Sequence, residues 1–279
     1  MTRLVVQHPA LSDEAVAAFA RAVSTPAARR TPALAVWPQV RIDGEQVSEL
    51  AETWRVDAEI VRPGMRLDEF RLAVFDMDST LITIECVDEI ADYAGRKAQV
   101  AAITEAAMRG EIADYDESLR QRVALLAGLP EDTLERVWAE RVRLSPGAER
   151  LLAGVRAGGL RTLLVSGGFT FFTERLQARL GIDTARSNLL EVRDGRLTGR
   201  LLGPIVNADA KKRIVEQTCR LIGCTPAQAI VVGDGANDLR MMSVAGLSIA
   251  YHAKPIVRDE STHAINHCGL DAILEFFEG

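Results

Sequence analysis

Leu72-Ala-Val-Phe-Asp-Met-Asp-Ser-Thr80 is the stretch whose reading decides the fold. Leu72 to Phe75 form a short apolar run of the kind that makes a strand buried on both faces. The run stops abruptly at Asp76 and Asp78, two positions apart, with the hydroxyls of Ser79 and Thr80 behind them. The same grammar recurs downstream. Arg161–Val165 is a second strand pattern that ends in Ser166-Gly-Gly168, followed by a helical pattern from Phe169 to Leu180. Ala229–Val232 is a third, ending in Gly233-Asp-Gly-Ala-Asn-Asp238 before another helix. Strand, polar glycine-bearing turn and helix form the unit of a parallel α/β sheet. In such a sheet ligands gather beyond the carboxyl ends of the strands, so the polar residues of these turns converge.

Outward from that core, the chain after the first strand turns helical through Asp88–Tyr93, Lys97–Arg109, Tyr115–Leu126 and Glu131–Arg141, with breaks at Gly95, Gly110 and Gly128-Leu-Pro130. A helical insert is therefore expected there, then a helix over Pro146–Ala157. Asp194-Gly195 between Asn188–Val192 and Arg196–Leu201 predicts a hairpin, and a helix near Ala208–Leu221 precedes the third strand. Residues 1–70 read strand, helix, strand, helix, strand: Leu4–Gln7, Ser12–Val23, Ala33–Ile42, Glu45–Trp54 and Glu59–Arg62. Ser12 is the expected N-cap, and the turn Arg62-Pro-Gly-Met65 closes this part.

The 279 residues are 48% hydrophobic and 26% charged, with a net charge of −6. A sizeable core is affordable, and disorder is excluded as the general state. No block of five like charges suits nucleic acid, and no apolar stretch reaches the ~18 residues of a membrane span, so neither partner is expected. An anionic substrate would have to be held by a few local cations and backbone amides. Cys86, Cys219, Cys224 and Cys268 show no Cys-x-x-Cys pair or zinc spacing, and the N-terminus lacks an apolar signal core. Reduced thiols in the cytoplasm are the expectation.

Asp76, Asp78, Asp234 and Asp238 would repel one another in one crevice unless a cation sat among them, and their hard oxygens favour Mg²⁺. Ser166, the Gly167 amide and a lysine from the helix near 208 add a cradle for phosphate, which together suggest phosphoryl transfer. Competing readings fail on particular residues. A calcium loop starting at Asp76 would have Leu81 where glycine is required and Val87 where glutamate is required. A dinucleotide fingerprint at Gly233 would have Asp238 as its third glycine. Ser166 is no nucleophile elbow, because Leu164 stands two positions before it. His263 and His267, four apart, lack the glutamate of a metalloprotease helix and read as solvated surface.

Taken in order, Asp76-Met-Asp-Ser-Thr80, Ser166-Gly-Gly168, Lys211 and Gly233-Asp-Gly-Ala-Asn-Asp238 resemble the four motifs of the haloacid dehalogenase superfamily. Thr83-Ile-Glu-Cys-Val-Asp-Glu-Ile90, Glu105-Ala-Ala-Met-Arg-Gly110, Ser118-Leu-Arg-Gln-Arg-Val123 and Ala253-Lys-Pro255 resemble its phosphoserine phosphatase family. The resemblance implies a Rossmann-like parallel sheet with helices on both faces and a helical-bundle cap inserted after the first strand. The expected phosphatase domain is 69–279, with a core of 69–84 and 145–279 and a cap of about 85–144. Residues 1–68 form a small α/β domain, similar in element order to ferredoxin-like or ACT regulatory domains; an appendage, a homodimer contact and an amino-acid sensor are its open roles.

The resemblance further implies hydrolysis of O-phospho-L-serine to L-serine, the last step of serine biosynthesis. Asp76 is the implied nucleophile and Asp78 the general acid/base. Mg²⁺ is held by Asp76, Asp234 and the carbonyl of Asp78, with Asp238 in support. Ser166, Gly167, Lys211 and Asn237 serve the phosphate end. Glu85 serves the substrate ammonium, Arg122 its carboxylate, and Met108 and Tyr115 wall the pocket. Lys211 is preferred to Lys212 because it stands three before Ile214-Val215. Transfer to a hydroxy amino acid such as homoserine, and a non-catalytic serine-responsive protein, are the rival functions; retention of both Asp76 and Asp78 argues against the latter.

Overall fold

The computed structural model describes residues 1–108, 111–112 and 114–278, and leaves out the side chain of Met108. The first part runs β1 (Thr2–Gln7), α1 (Asp13–Ala22), β2 (Arg29–Thr31), β3 (Leu34–Val40), α2 (Gly44–Trp54) and β4 (Asp57–Val61). These strands form an antiparallel sheet in the order β2-β3-β1-β4. The sequence pattern did not show β2, because its residues Arg29, Arg30 and Thr31 are all exposed and carry no apolar alternation. With it, the order β-α-β-β-α-β is that of a ferredoxin-like unit. Ser12 caps α1 through the N–H of Ala15, and Asp43 caps α2 through the N–H of Gln46. Phe19, Trp37, Leu4 and Val47 close the space between sheet and helices.

β5 (Leu72–Phe75) begins the larger part. α3 (Cys86–Asp92), α4 (Lys97–Met108), α5 (Tyr115–Ala124) and α6 (Asp132–Glu140) follow as the helical insert, then α7 (Ala148–Ala157). The chain continues through β6 (Arg161–Phe169), α8 (Thr170–Leu180), β7 (Thr184–Arg193), β8 (Arg196–Leu202), α9 (Ala208–Ile222), β9 (Ala229–Gly233), α10 (Leu239–Met242), β10 (Leu247–Tyr251), α11 (Pro255–Asp259) and β11 (His263–Ile265). The sheet order is β11-β10-β9-β5-β6-β7-β8, parallel except for the β7–β8 hairpin. β5, first in the chain, is central: β6 lies on one side of it and β9 on the other. The connections therefore diverge at the carboxyl end of β5, which is where a crevice must open. β5 is buried throughout, as its four apolar residues demand. Among the described residues no helix is long and apolar enough to cross a membrane.

Two local expectations change. β6 does not stop at Val165 but runs to Phe169. Val165 pairs with Arg186 and Phe169 with Asn188, so three residues on β6 stand between these pairs against one on β7, and Ser166-Gly167-Gly168 bulges out of the ladder. His263 is not solvated surface: it lies on β11, 7% exposed, with Nδ1 2.8 Å from Glu59 Oε2. The sequence pattern misled because β11 is only three residues long.

Candidate active site

Asp76 follows the last residue of β5, and its backbone N–H donates to Val232 of β9 at 3.0 Å, which ties the two turns together. Asp76 is 5% exposed. From the first turn of α9, Lys211 reaches it: Nζ donates to Asp76 Oδ1 at 2.6 Å and to Asp238 Oδ1 at 2.7 Å, with the lysine 0% exposed. Burial opposes the ammonium charge, but Asp238 and Asp76 outweigh it and keep the group protonated. Lys212, one residue on, faces outward toward Glu216.

Asp238 spends its second oxygen on the N–H groups of Asp234 (3.2 Å) and Gly235 (3.1 Å), folding the Gly233–Asp238 turn around itself. Asp234 accepts from the Thr80 hydroxyl at 3.0 Å. Asp76, Asp234 and Asp238 each bring an oxygen to within 4.8 Å of the others. Burial, then the charge of Asp238, pushes Asp76 well above the carboxylate range against the pull of Lys211, and pushes Asp234 up to about 7. One ammonium against three crowded carboxylates leaves a charge deficit that a divalent cation fits, and all donors are hard oxygens. With Asp238 engaged by Lys211 and two amides, Asp76 and Asp234 are the carboxylates left to face it.

Asp78 lies on the other side of the crevice. Its Oδ1 accepts from the Cys86 N–H at 3.1 Å. Burial, with the nearby charge of Glu85, pushes it up to about 8, so this acid holds a proton at neutral pH. Neighbouring Ser79 adopts a positive φ of 56° and donates its hydroxyl to Glu85 Oε1 at 2.6 Å. Burial raises Glu85 above its ordinary range, and that hydroxyl opposes the rise.

Ser166, 1% exposed, accepts the N–H of Gly168 at 2.8 Å. The glycines are required by contact. A Cβ on Gly168 would lie 2.9 Å from Asp78 Oδ2 and 2.5 Å from Met77 Cε, and one on Gly167 would lie 2.3 Å from the Tyr115 hydroxyl. Tyr115 thus descends from α5 onto the Ser166–Gly168 turn. Arg122, in the last turn of α5, acts electrostatically on Glu85, Asp88 and Tyr115. Asn237 lies over Gly235, where a Cβ would meet its amide oxygen at 2.2 Å. Of the residues singled out from sequence, the side chain of Met108 lies outside the described residues.

Asn188, Thr80, Asn207 and Asp116 were not singled out from sequence. Asn188 donates to the Gly167 carbonyl (2.7 Å) and accepts from Val206 N–H (2.8 Å), bracing the bulge. Asn207 caps α9 through Ala210 and donates to Asp116 of α5 at 2.9 Å, joining insert to sheet beside Lys211. An asparagine just before a helix is a readable cap, but its reach to Asp116 is tertiary.

A family model of haloacid dehalogenase-like hydrolases matches residues 73–243. The chain belongs to that family. It is 59% identical over 220 residues to a phosphoserine phosphatase of Polaromonas sp., covering 77% of this chain and 93% of that one. Among solved structures, a HAD family hydrolase from Salmonella enterica serovar Typhi superposes with a TM-score of 0.88 at 33% identity, over 100% of this chain and 99% of that chain. A substrate-bound phosphoserine phosphatase gives 0.70 at 37% identity, over 75% of this chain and 99% of that chain. Within the family, then, the chain sits with the phosphoserine phosphatases.

Proposed function

We propose that the chain hydrolyses O-phospho-L-serine to L-serine and phosphate through an aspartyl-phosphate on Asp76, as the last step of serine biosynthesis. The observation that carries this reading is the pairing of two buried acids with opposite demands at one strand end. Burial raises both acids, but Asp76 touches Lys211, which opposes the rise and favours its carboxylate, whereas the charge of Glu85 adds to burial in favouring the protonated form of Asp78. Asp76 attacks phosphorus while Asp78 gives its proton to the departing serine oxygen. Asp78, now ionised, takes a proton from the water that attacks the acyl phosphate. Ser166, the Gly167 amide and Lys211 grip the phosphoryl oxygens, with Asn237 at the same rim. Mg²⁺, held by Asp76, Asp234 and the carbonyl of Asp78, would offset the phosphate charge when bound. Asp238 acts through Lys211 and the turn.

The cap supplies specificity. Glu85 meets the substrate ammonium and Arg122 grips its carboxylate with two parallel bonds, while Tyr115 walls the pocket. We assign 1–68 to an accessory unit and 69–279 to the phosphatase unit, with the cap at about 85–144. Four free cysteines support a reducing cytoplasmic setting. A homodimer is the proposed assembly, to be read by sedimentation.

The test is phosphate release by wild type and Asp76→Asn, with Mg²⁺ or EDTA, from phosphoserine, phosphothreonine, phosphoethanolamine and p-nitrophenyl phosphate. Phosphoserine should dominate, and both EDTA and Asp76→Asn should abolish release with the fold retained. Preference for another ester sinks the substrate assignment; turnover by Asp76→Asn sinks the mechanism.

A further inference from the structure

At the end opposite Lys211, α9 closes with Cys219-Arg-Leu-Ile-Gly-Cys224. Gly223, at φ 74°, reverses the chain. The N–H of Cys224 donates to the carbonyl of Cys219 at 2.9 Å, and the N–H of Gly223 to that of Arg220 at 3.3 Å. This is the Schellman arrangement, in which the side chains flanking the longer bond meet, ordinarily as an apolar contact. Here both are cysteines, so the position of that apolar contact is taken by two thiols. Cys219 is buried and Cys224 half-buried, and both pack on the same apolar cluster against the sheet. A backbone bond between the two residues keeps their α-carbons in the ~4.4–6.8 Å range that a disulfide spans.

We propose that Cys219 and Cys224 form a reversible disulfide, a thiol–disulfide modification site at the end of the helix that carries Lys211. The half-buried Cys224 is the sulfur reached first. Its thiolate attacks a low-molecular-weight disulfide such as oxidised glutathione, giving a mixed disulfide and releasing one glutathione thiolate. The Cys219 thiolate, its proton lost to solvent, then attacks the Cys224 sulfur and expels the second glutathione. Two protein thiols are oxidised, one glutathione disulfide is reduced, and the two protons end on the released glutathione thiols. Burial pushes Cys219 up to about 12, which makes the second step the slower one and speeds it as pH rises. Transient disulfides of this kind are the sort found among reduced intracellular thiols.

The experiment incubates the native full chain with oxidised glutathione, then traps free thiols by alkylation and maps the peptides. The expected product is a Cys219–Cys224 crosslink reversed by reductant. In Cys219→Ser the reaction should stop at a glutathione adduct on Cys224, and Cys224→Ser should show neither the adduct nor the crosslink. A persistent Cys224 adduct in the wild type would overturn the proposal. So would an unreactive Cys224 in protein that still binds and hydrolyses its phosphomonoester.

Discussion

Lys211→Met removes the ammonium from the buried carboxylates while keeping the length of the side chain. The lysine is 0% exposed and bonds Asp76 at 2.6 Å and Asp238 at 2.7 Å. Removing one partner of a buried ion pair costs about 3–5 kcal/mol, because the other partner stays buried without compensation. At about 2–3 °C per kcal/mol for a chain of this size, the metal-free Tm should fall by about 6–15 °C. Lys212→Met sets the control. Lys212 is half-exposed and 3.9 Å from Glu216, a surface pair worth about 0–1 kcal/mol, so its Tm should move by less than about 3 °C. The pH dependence has a defined sign. Without Lys211 the folded-state pKa of Asp76, already raised by burial, rises further, so this acid protonates as pH falls and the loss of stability shrinks toward acid. The assay is thermal unfolding of wild type and both variants in EDTA from neutral toward acid pH. If Lys211→Met melts within about 2 °C of wild type, or Lys212→Met matches it, the buried-cluster argument is refuted.

Arg122→Ala should raise KM for phosphoserine by about 10–100-fold, the worth of a charged hydrogen-bond pair, and leave kcat/KM for p-nitrophenyl phosphate within about 2-fold; steady-state kinetics on both esters checks it. Gly167→Ala places a Cβ 2.3 Å from the Tyr115 hydroxyl, so kcat/KM should drop, and adding Tyr115→Phe should restore part of it; no recovery in the double variant counts against the contact. Divalent cation should raise Tm more at pH about 8 than at about 5.5: burial and Asp238 push Asp234 up to about 7 in the metal-free protein and raise Asp76 as well, and the cation needs both carboxylates charged. A pH-independent Tm gain in fluorimetry would remove the acids from the site.

What could be read from sequence was whatever local chemistry dictates. Leu72–Phe75 ending in Asp76 and Asp78, and Ala229–Val232 ending in the glycine turn, are strands by apolar run and ends by polarity. Lys211 over Lys212 came from the resemblance, in which the family's lysine stands three before an apolar pair, and it is Lys211 whose amine is buried against Asp76 and Asp238 while Lys212 faces Glu216. β2 was hidden because three exposed residues carry no pattern, and the full span of β6 because its bulge looks like a turn. Asn188 and Thr80 are ordinary polar residues until folding brings Gly167 and Asp234 beside them. His263 gave the opposite of its true setting, since its partner Glu59 lies on a strand of the other sheet.

That misreading points to what the first strands do. β11 is an outer strand of the large sheet, and an outer strand leaves backbone groups without a neighbour. Here carboxylates from β4 take the neighbour's place. Glu59 accepts the N–H of Ala264 at 2.9 Å, and Asp57, 3% exposed, accepts those of Asn266 at 2.6 Å and Cys268 at 2.8 Å. From β1, Arg3 donates to the carbonyls of Phe276 and Glu275, and Gln7 to that of Ala272. Buried polar residues are tolerated only when paired, and here the partners are the backbone of 263–276. The N-terminal sheet and the C-terminal segment are therefore one cooperative element. These hydrogen bonds reach β11 and the segment up to Phe276, and β10 lies between β11 and β9, the strand that delivers Asp234. The first sixty residues thus pair with the backbone at the sheet edge, whereas Asp76, Ser166, Asp234 and Lys211 lie at β5, β6, β9 and α9.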